Sequence, residues 1–173
     1  MAKQASNKID PFKLAARGES EAGSINLANM LRLAENIHPS SKGDVTYEMR
    51  FFKERKHFRV SGQQQAVVNM ICQRCLQPMP VSVSSSFNLE FVREEPLETE
   101  ADSDENIYEW VMVPDEPIAL SDLVEDELML ALPFAPMHDE GSCPSSAIVK
   151  ELQESSKPNP FAVLKELKGK QES

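Results

Sequence analysis

The spacing of apolar residues changes from one stretch of the chain to the next. Asp10-Pro11 reads as a helix start, with Asp as N-cap and Pro at the first helical position. Phe12, Leu14 and Ala15 follow, and Gly18 stops the helix. Asn26 is expected to open a second helix, LANMLRLAENI. Its Leu27, Met30, Leu31 and Ala34 share one face at i, i+3, i+4, i+7 spacing. Pro39 and Gly43 close it. From Val45 the period drops to two. Val45, Tyr47, Met49 and Phe51 alternate with polar residues, as a half-buried strand requires. Residues 53–56 make a charged turn. A second strand alternates Phe58 and Val60, then Ala66, Val68 and Met70. A third carries Met79, Val81, Val83, Phe87, Leu89 and Phe91. The three form an antiparallel meander, with Cys72-Gln73-Arg74-Cys75 at the turn between the last two.

Residues 94–106, EEPLETEADSDEN, hold almost nothing apolar and read as a disordered acidic loop. Ile107, Tyr108, Trp110, Met112 and Val113 indicate a further edge strand. Ser121 is the expected N-cap of DLVEDELMLAL, with Leu123, Val124, Glu127, Leu128 and Ala131 on one stripe and Pro133 and Pro136 beyond its end. Asn159-Pro160 starts a short amphipathic tail helix with Phe161, Leu164 and Leu167 on its apolar side. The fold class is therefore α+β: an antiparallel sheet of four or five strands with N-terminal and C-terminal helices packed on it. The expected core includes Leu27, Met30, Leu31, Val60, Val68, Val83, Phe87, Leu89, Leu128 and Leu132. Residues 1–9 and 169–173 are expected to be disordered around a single domain at 10–168. No internal repeat is present.

Charge changes this picture. The formal net charge is −10. Residues 1–93, however, carry 13 Lys/Arg against 8 Asp/Glu, while 94–149 carry 16 Asp/Glu and no Lys or Arg. A basic face can therefore exist on an acidic protein. It is concentrated in RFFKERKHFR, 50–59, where Arg50, Lys53, Arg55, Lys56 and Arg59 are opposed only by Glu54. Phe51, Phe52 and Phe58 interleave with them. Phosphate contacts and aromatic stacking would make this an RNA-facing hairpin, extended by Arg74 and Arg93. The competing reading is a solvated turn whose phenylalanines belong to the core. The acidic stretch 94–127 would suit basic protein partners or simply solvate the surface.

Three cysteines, Cys72, Cys75 and Cys143, are an odd number and argue against a disulfide scaffold. Cys-x2-Cys at a turn presents two thiolates to one tetrahedral metal, and His138 and Cys143 would complete a Cys3His zinc site. Otherwise these are ordinary thiols beside an exposed histidine. A redox role is disfavoured because no strand-then-helix context surrounds the pair. The start, MAKQASNKIDPFKL, has no apolar core of a secretory signal, and no apolar run approaches the ~20 residues of a membrane span. The expected location is the cytoplasm. No phosphate-binding loop, dinucleotide fingerprint, nucleophile elbow or zinc-protease motif occurs. His38, His57 and His138 assemble no visible triad. Asp126 and Glu127 are adjacent on a helix and point apart. Trp110 reads as packing.

The CQRC turn, the stretch EDELMLALPFAPMHDEGSC at 125–143 and the terminal KPNPFAVLKELK at 157–168 occur in one order. Together, from about Asp10 to Lys168, they resemble the YceD family of bacterial large ribosomal RNA subunit accumulation proteins. The resemblance implies a cytoplasmic role in synthesis, processing or accumulation of 23S rRNA for the large subunit, without catalysis. It implies as partner the precursor large subunit, through its rRNA, its ribosomal proteins or a maturation enzyme, and neither DNA nor membrane. Other family members carry a fuller second cysteine pair; here only His138 and Cys143 stand in its place. Two rivals remain: a zinc- or thiol-dependent enzyme using Cys72 and Cys75, and a protein adaptor that never touches RNA.

Overall fold

The computed structural model describes residues 8–94, 108–139 and 141–145. The acidic loop beyond Glu94 and the expected tail helix at 157–168 lie outside the described residues. A five-stranded sheet in the order β2-β3-β4-β5-β6 dominates. Its strands are β2 (Ser20–Asn26), β3 (Asp44–Glu54), β4 (His57–Ile71), β5 (Pro78–Val92) and β6 (Glu109–Met112). Neighbours from β2 to β5 run antiparallel, and β6 pairs parallel to β5. The alternation expected for β3 is present in full: Val45, Tyr47, Met49 and Phe51 are buried, and Thr46, Glu48 and Arg50 are exposed. Cross-strand register continues the inner face through Phe51↔Val60 and Val60↔Leu89. Burying a side chain such as Phe51 contributes about 1.5–3 kcal/mol. The opposite face is mainly Ser, Thr, Gln and Asn.

Helices and a second, small ladder cover the inner face. Helix α1 (Pro11–Arg17) starts and ends as its residues dictate. Asp10 Oδ1 accepts from the Lys13 N–H at 3.1 Å, and Gly18 closes it in the left-handed region at φ 66°. Phe12 of α1 meets Phe58 edge-on, with centroids 5.2 Å apart. Lys8–Ile9, expected to be disordered, form β1 and pair antiparallel with β7 (Ile118–Ala119). Helix α3 (Leu120–Leu130) buries Leu120, Leu123, Val124 and Leu128. Its N-cap is Ala119, which makes no side-chain cap bond; Ser121, the expected cap, sits inside the first turn.

The second expected helix is corrected. Ser20–Asn26 is an edge strand that period-two reading misses, because only Ile25 in it is a large apolar residue. Asn26 does cap, but it caps a single 3-10 turn, Leu27–Asn29, ahead of the four-residue α2 (Leu31–Ala34). The break rotates the register, so Leu27, Met30 and Leu33 are buried while Leu31 is 76% exposed. Glu125 of α3 fixes this segment. It accepts from the Leu33 N–H at 2.9 Å and from the Arg32 guanidinium at 3.2 Å.

Gly62 marks a close approach inside the sheet. It pairs with Phe87, whose ring lies across it, and a Cβ there would come within 2.3 Å of Phe87 Cζ. Glycine at 62 is what lets that ring lie flat on the strand.

Candidate metal centre and basic hairpin

The far end of β4 delivers half of the thiol cluster. Cys72 follows Ile71 and is fully buried. The Leu76 N–H donates to the Cys72 carbonyl and the Cys72 N–H to the Gln77 carbonyl, at 2.9 and 3.0 Å. Leu76 takes φ 60°, which turns the chain back into β5. The other half arrives on the segment leaving α3. Pro136 accepts from the Gln73 N–H, and the His138 carbonyl accepts from the Arg74 guanidinium, both at 2.9 Å. Cys143 then comes in beneath a turn in which the Ser142 N–H donates to the Asp139 carbonyl.

The result brings all four expected ligands together. One ligand atom from each of Cys72, Cys75, His138 and Cys143 lies within 4.8 Å of the others, and Cys75 Sγ is 3.4 Å from His138 Nδ1. A zinc tetrahedron with ordinary Zn–S and Zn–N bonds has edges of roughly 3.5–3.8 Å. A small contraction would close it. The three cysteines are free thiols.

Electrostatics favour anionic sulphur here. Burial pushes the Cys72 thiol up, but backbone N–H groups of His138, Cys75 and Arg74, with the His138 ring, outweigh it and bring the thiol down to about 5. Ser145 donates to Cys143, and with Arg74 beside it that thiol falls to about 7 despite burial. Burial raises Cys75, where the neighbouring sulphurs Cys72 and Cys143 also disfavour charge. His138 is raised chiefly by its hydrogen bond to Cys72. Such a set suits a cation of borderline softness. Three thiolates and one imidazole around a divalent ion would leave one net negative charge, and the Arg74 guanidinium lies where it offsets that charge. Arg74 was expected on the RNA-facing patch; the structure puts its guanidinium at the thiol cluster. Its position between the two cysteines of a Cys-x2-Cys turn is the signal that points there. Ser145 carries no such signal.

The basic hairpin forms at the other end of β4. Arg55, at φ 51°, and Lys56 make its tip. Arg50, Lys53, Arg55 and Lys56 are exposed. Lys53 leans over the Phe58 ring at 4.7 Å. Arg59 is different: it is 5% exposed, bound by Glu90 at 3.0 Å and Glu54 at 2.6 Å, and stacked 4.0 Å from the centroid of the Tyr108 ring. Its charge is consumed within the fold. Arg93 likewise pairs with Asp115 and covers Phe12. Phe51 is core and Phe58 packs on Phe12, so of the interleaved aromatics only Phe52, half-buried, faces outward.

The fold and site define a class: a small α+β domain, mostly one sheet, with a three-cysteine, one-histidine cluster tying a strand turn to the exit of a helix. The family model for Large ribosomal RNA subunit accumulation protein YceD matches residues 60–168. A relative of that name from Haemophilus influenzae is 34% identical over 171 residues, covering 94% of this chain and 95% of its own. The chain belongs to the YceD family. No solved structure matches it. The matched residues contain all four cluster ligands; the hairpin tip lies ahead of them. Among the described residues, no helix is long and apolar enough to cross a membrane.

Proposed function

We propose that this protein promotes accumulation of large-subunit ribosomal RNA in the cytoplasm as a non-enzymatic assembly factor, with the β3–β4 hairpin as its RNA-facing edge and a structural zinc ion at the Cys72, Cys75, His138 and Cys143 cluster. The family's printed name supports the ribosomal role. The observation that carries the hairpin reading is local. Arg55 and Lys56 project from the tip and Arg50 is exposed farther along β3, with no acidic partner among the described residues, while Arg59 between them is neutralised. Zinc would act as a staple there, holding the turn at 72–75 against 138–143, with all four protein ligands used and no open position for a substrate.

Two experiments test this. A deletion strain should show fewer free large subunits or precursor large-subunit rRNA; normal subunit ratios with mature rRNA ends would end the ribosomal reading. Changing Lys53, Arg55 and Lys56 together to Glu should weaken co-sedimentation with precursor large subunits and flatten its salt dependence, by roughly 0.7 in log–log slope for each phosphate no longer neutralised. Unchanged co-sedimentation of the folded triple variant would favour the adaptor reading, which the acidic second half of the chain supports.

A further inference from the structure

Glu127 lies on α3 with only 8% of its surface exposed, and no hydrogen bond or ion pair of its carboxylate is seen among the described residues. Its helix neighbours behave otherwise. Glu125 is used by Leu33 and Arg32, and Asp126 pairs with Arg32. Glu127 instead faces a cavity of about 450 Å³ between β5, β6 and α3, with Glu109 on its other side. Register explains the pairing. Glu109 is opposite Leu89 in the parallel β5–β6 ladder, so it points to the inner-face side, where it stands exposed at the mouth of the cavity. Ser86, Leu130 and Ala131 complete the lining relevant here.

Two carboxylates thus share a half-enclosed space into which no Lys or Arg among the described residues reaches. Burial, then Glu109, then Asp126 raise the Glu127 carboxyl above its ordinary range. An acid with a buried stem and a carboxylate that meets only the cavity is poorly solvated in the free fold, and an occupant carrying positive charge would compensate it. The surroundings specify that occupant. Residues 94–149 contain no Lys or Arg, which repels nucleic acid phosphates and attracts basic protein. No strand pairs with the outer edge of β6 among the described residues, and the strand shows Trp110 and Met112, 49% and 57% exposed, on the face away from Glu109.

We propose that this cavity is a docking site for one lysine or arginine side chain of a basic, extended segment of a partner protein. The segment lies along β6, alternating basic side chains toward Glu109 and Glu127 with apolar ones over Trp110 and Met112. This goes beyond the rRNA reading and does not depend on it.

The test uses the full chain and a dye-labelled peptide of alternating lysine and valine. Anisotropy should report binding, and the emission of Trp110, the single tryptophan, should shift with it. Glu127→Gln should weaken binding by at least ~10-fold, the scale of truncating one partner of a desolvated charge pair, and Glu109→Gln, at the exposed mouth, by less. Glu116→Gln, on an exposed acid of the same segment, should change it less than ~2-fold. Glu127→Gln should also raise the melting temperature, whereas a merely structural acid would lower it when replaced. Equal weakening by all three variants would reduce the effect to diffuse charge and overturn the site. So would an unshifted Trp110, or an oligouridine RNA that binds in the peptide's place. Peptide binding that appears only after Lys165 and Lys168 are changed to Gln would assign the site to the chain's own tail and equally overturn the proposal.

Discussion

The two ends of β4 carry opposite kinds of polar chemistry. At its start, His57 leaves a tip of exposed Lys and Arg side chains held by little more than the strand pairing. At its end, Cys72 is fully buried and receives several hydrogen-bond donors. One end is built to be changed by what approaches it; the other is over-determined by its own chain. Substitutions should therefore separate cleanly, with stability reading one end and binding the other.

The largest effect is expected at the thiol end. Cys72→Ser should abolish a zinc content of about one equivalent per chain and destabilise the fold by about 4 kcal/mol or more, the range that loss of a metal reaches. Metal analysis after chelator-free purification, with a thermal melt, checks both. A variant that melts like the parent would erase the contrast between the ends. Next, Gly62→Ala should cost about 1–3 kcal/mol, because the Phe87 ring must leave the strand. Denaturant unfolding measures it.

Arg59 and Arg55 sharpen the comparison within one hairpin. Arg59→Ala strips a buried guanidinium from Glu90 and Glu54 and should cost about 2–4 kcal/mol. Arg55→Ala, four positions away and exposed, should cost less than ~0.5 kcal/mol. Equal losses would mean that the tip is structural too.

A further contrast is one of pH. In metal-stripped protein the Cys72 thiol, lowered from 9.0 to about 5, favours the folded state when ionised. That contribution is complete above pH 9.0 and is lost as pH falls through about 5. Thiolate absorbance should show one sulphur still ionised near pH 6 and lost by about 4; a first titration near 9 would put Cys72 among ordinary thiols.

The central sheet is legible in the sequence because most of its inward residues are large and alternate: Val45 to Phe51 do so without a break, and Val83 to Phe91 with one interruption at Ser85. The cluster is legible as a set of ligand types, although only the fold brings 138–143 to 72–75. Ser20–Asn26 escapes, since a strand that borrows its register from β3 has no need of apolar repeats. The broken helix at 27–34 escapes because Glu125, remote in sequence, decides which way its leucines face. Arg59 and the Glu109–Glu127 pair escape for the same reason. A charge's availability depends on partners that local periodicity does not contain, and only assembly reveals which are spent.

The bond from the Gln73 N–H to the Pro136 carbonyl joins two parts of the chain made far apart in time. During synthesis β3, β4 and β5 can all emerge and pair while the turn at 72–75 still lacks its counterpart. His138 and Cys143 come out only after α3. Until then the turn at the end of β4 has two sulphurs and nothing to hold them. The last ligands to be translated are thus the ones that fasten the middle of the chain, and a product truncated ahead of His138 would lack its clasp.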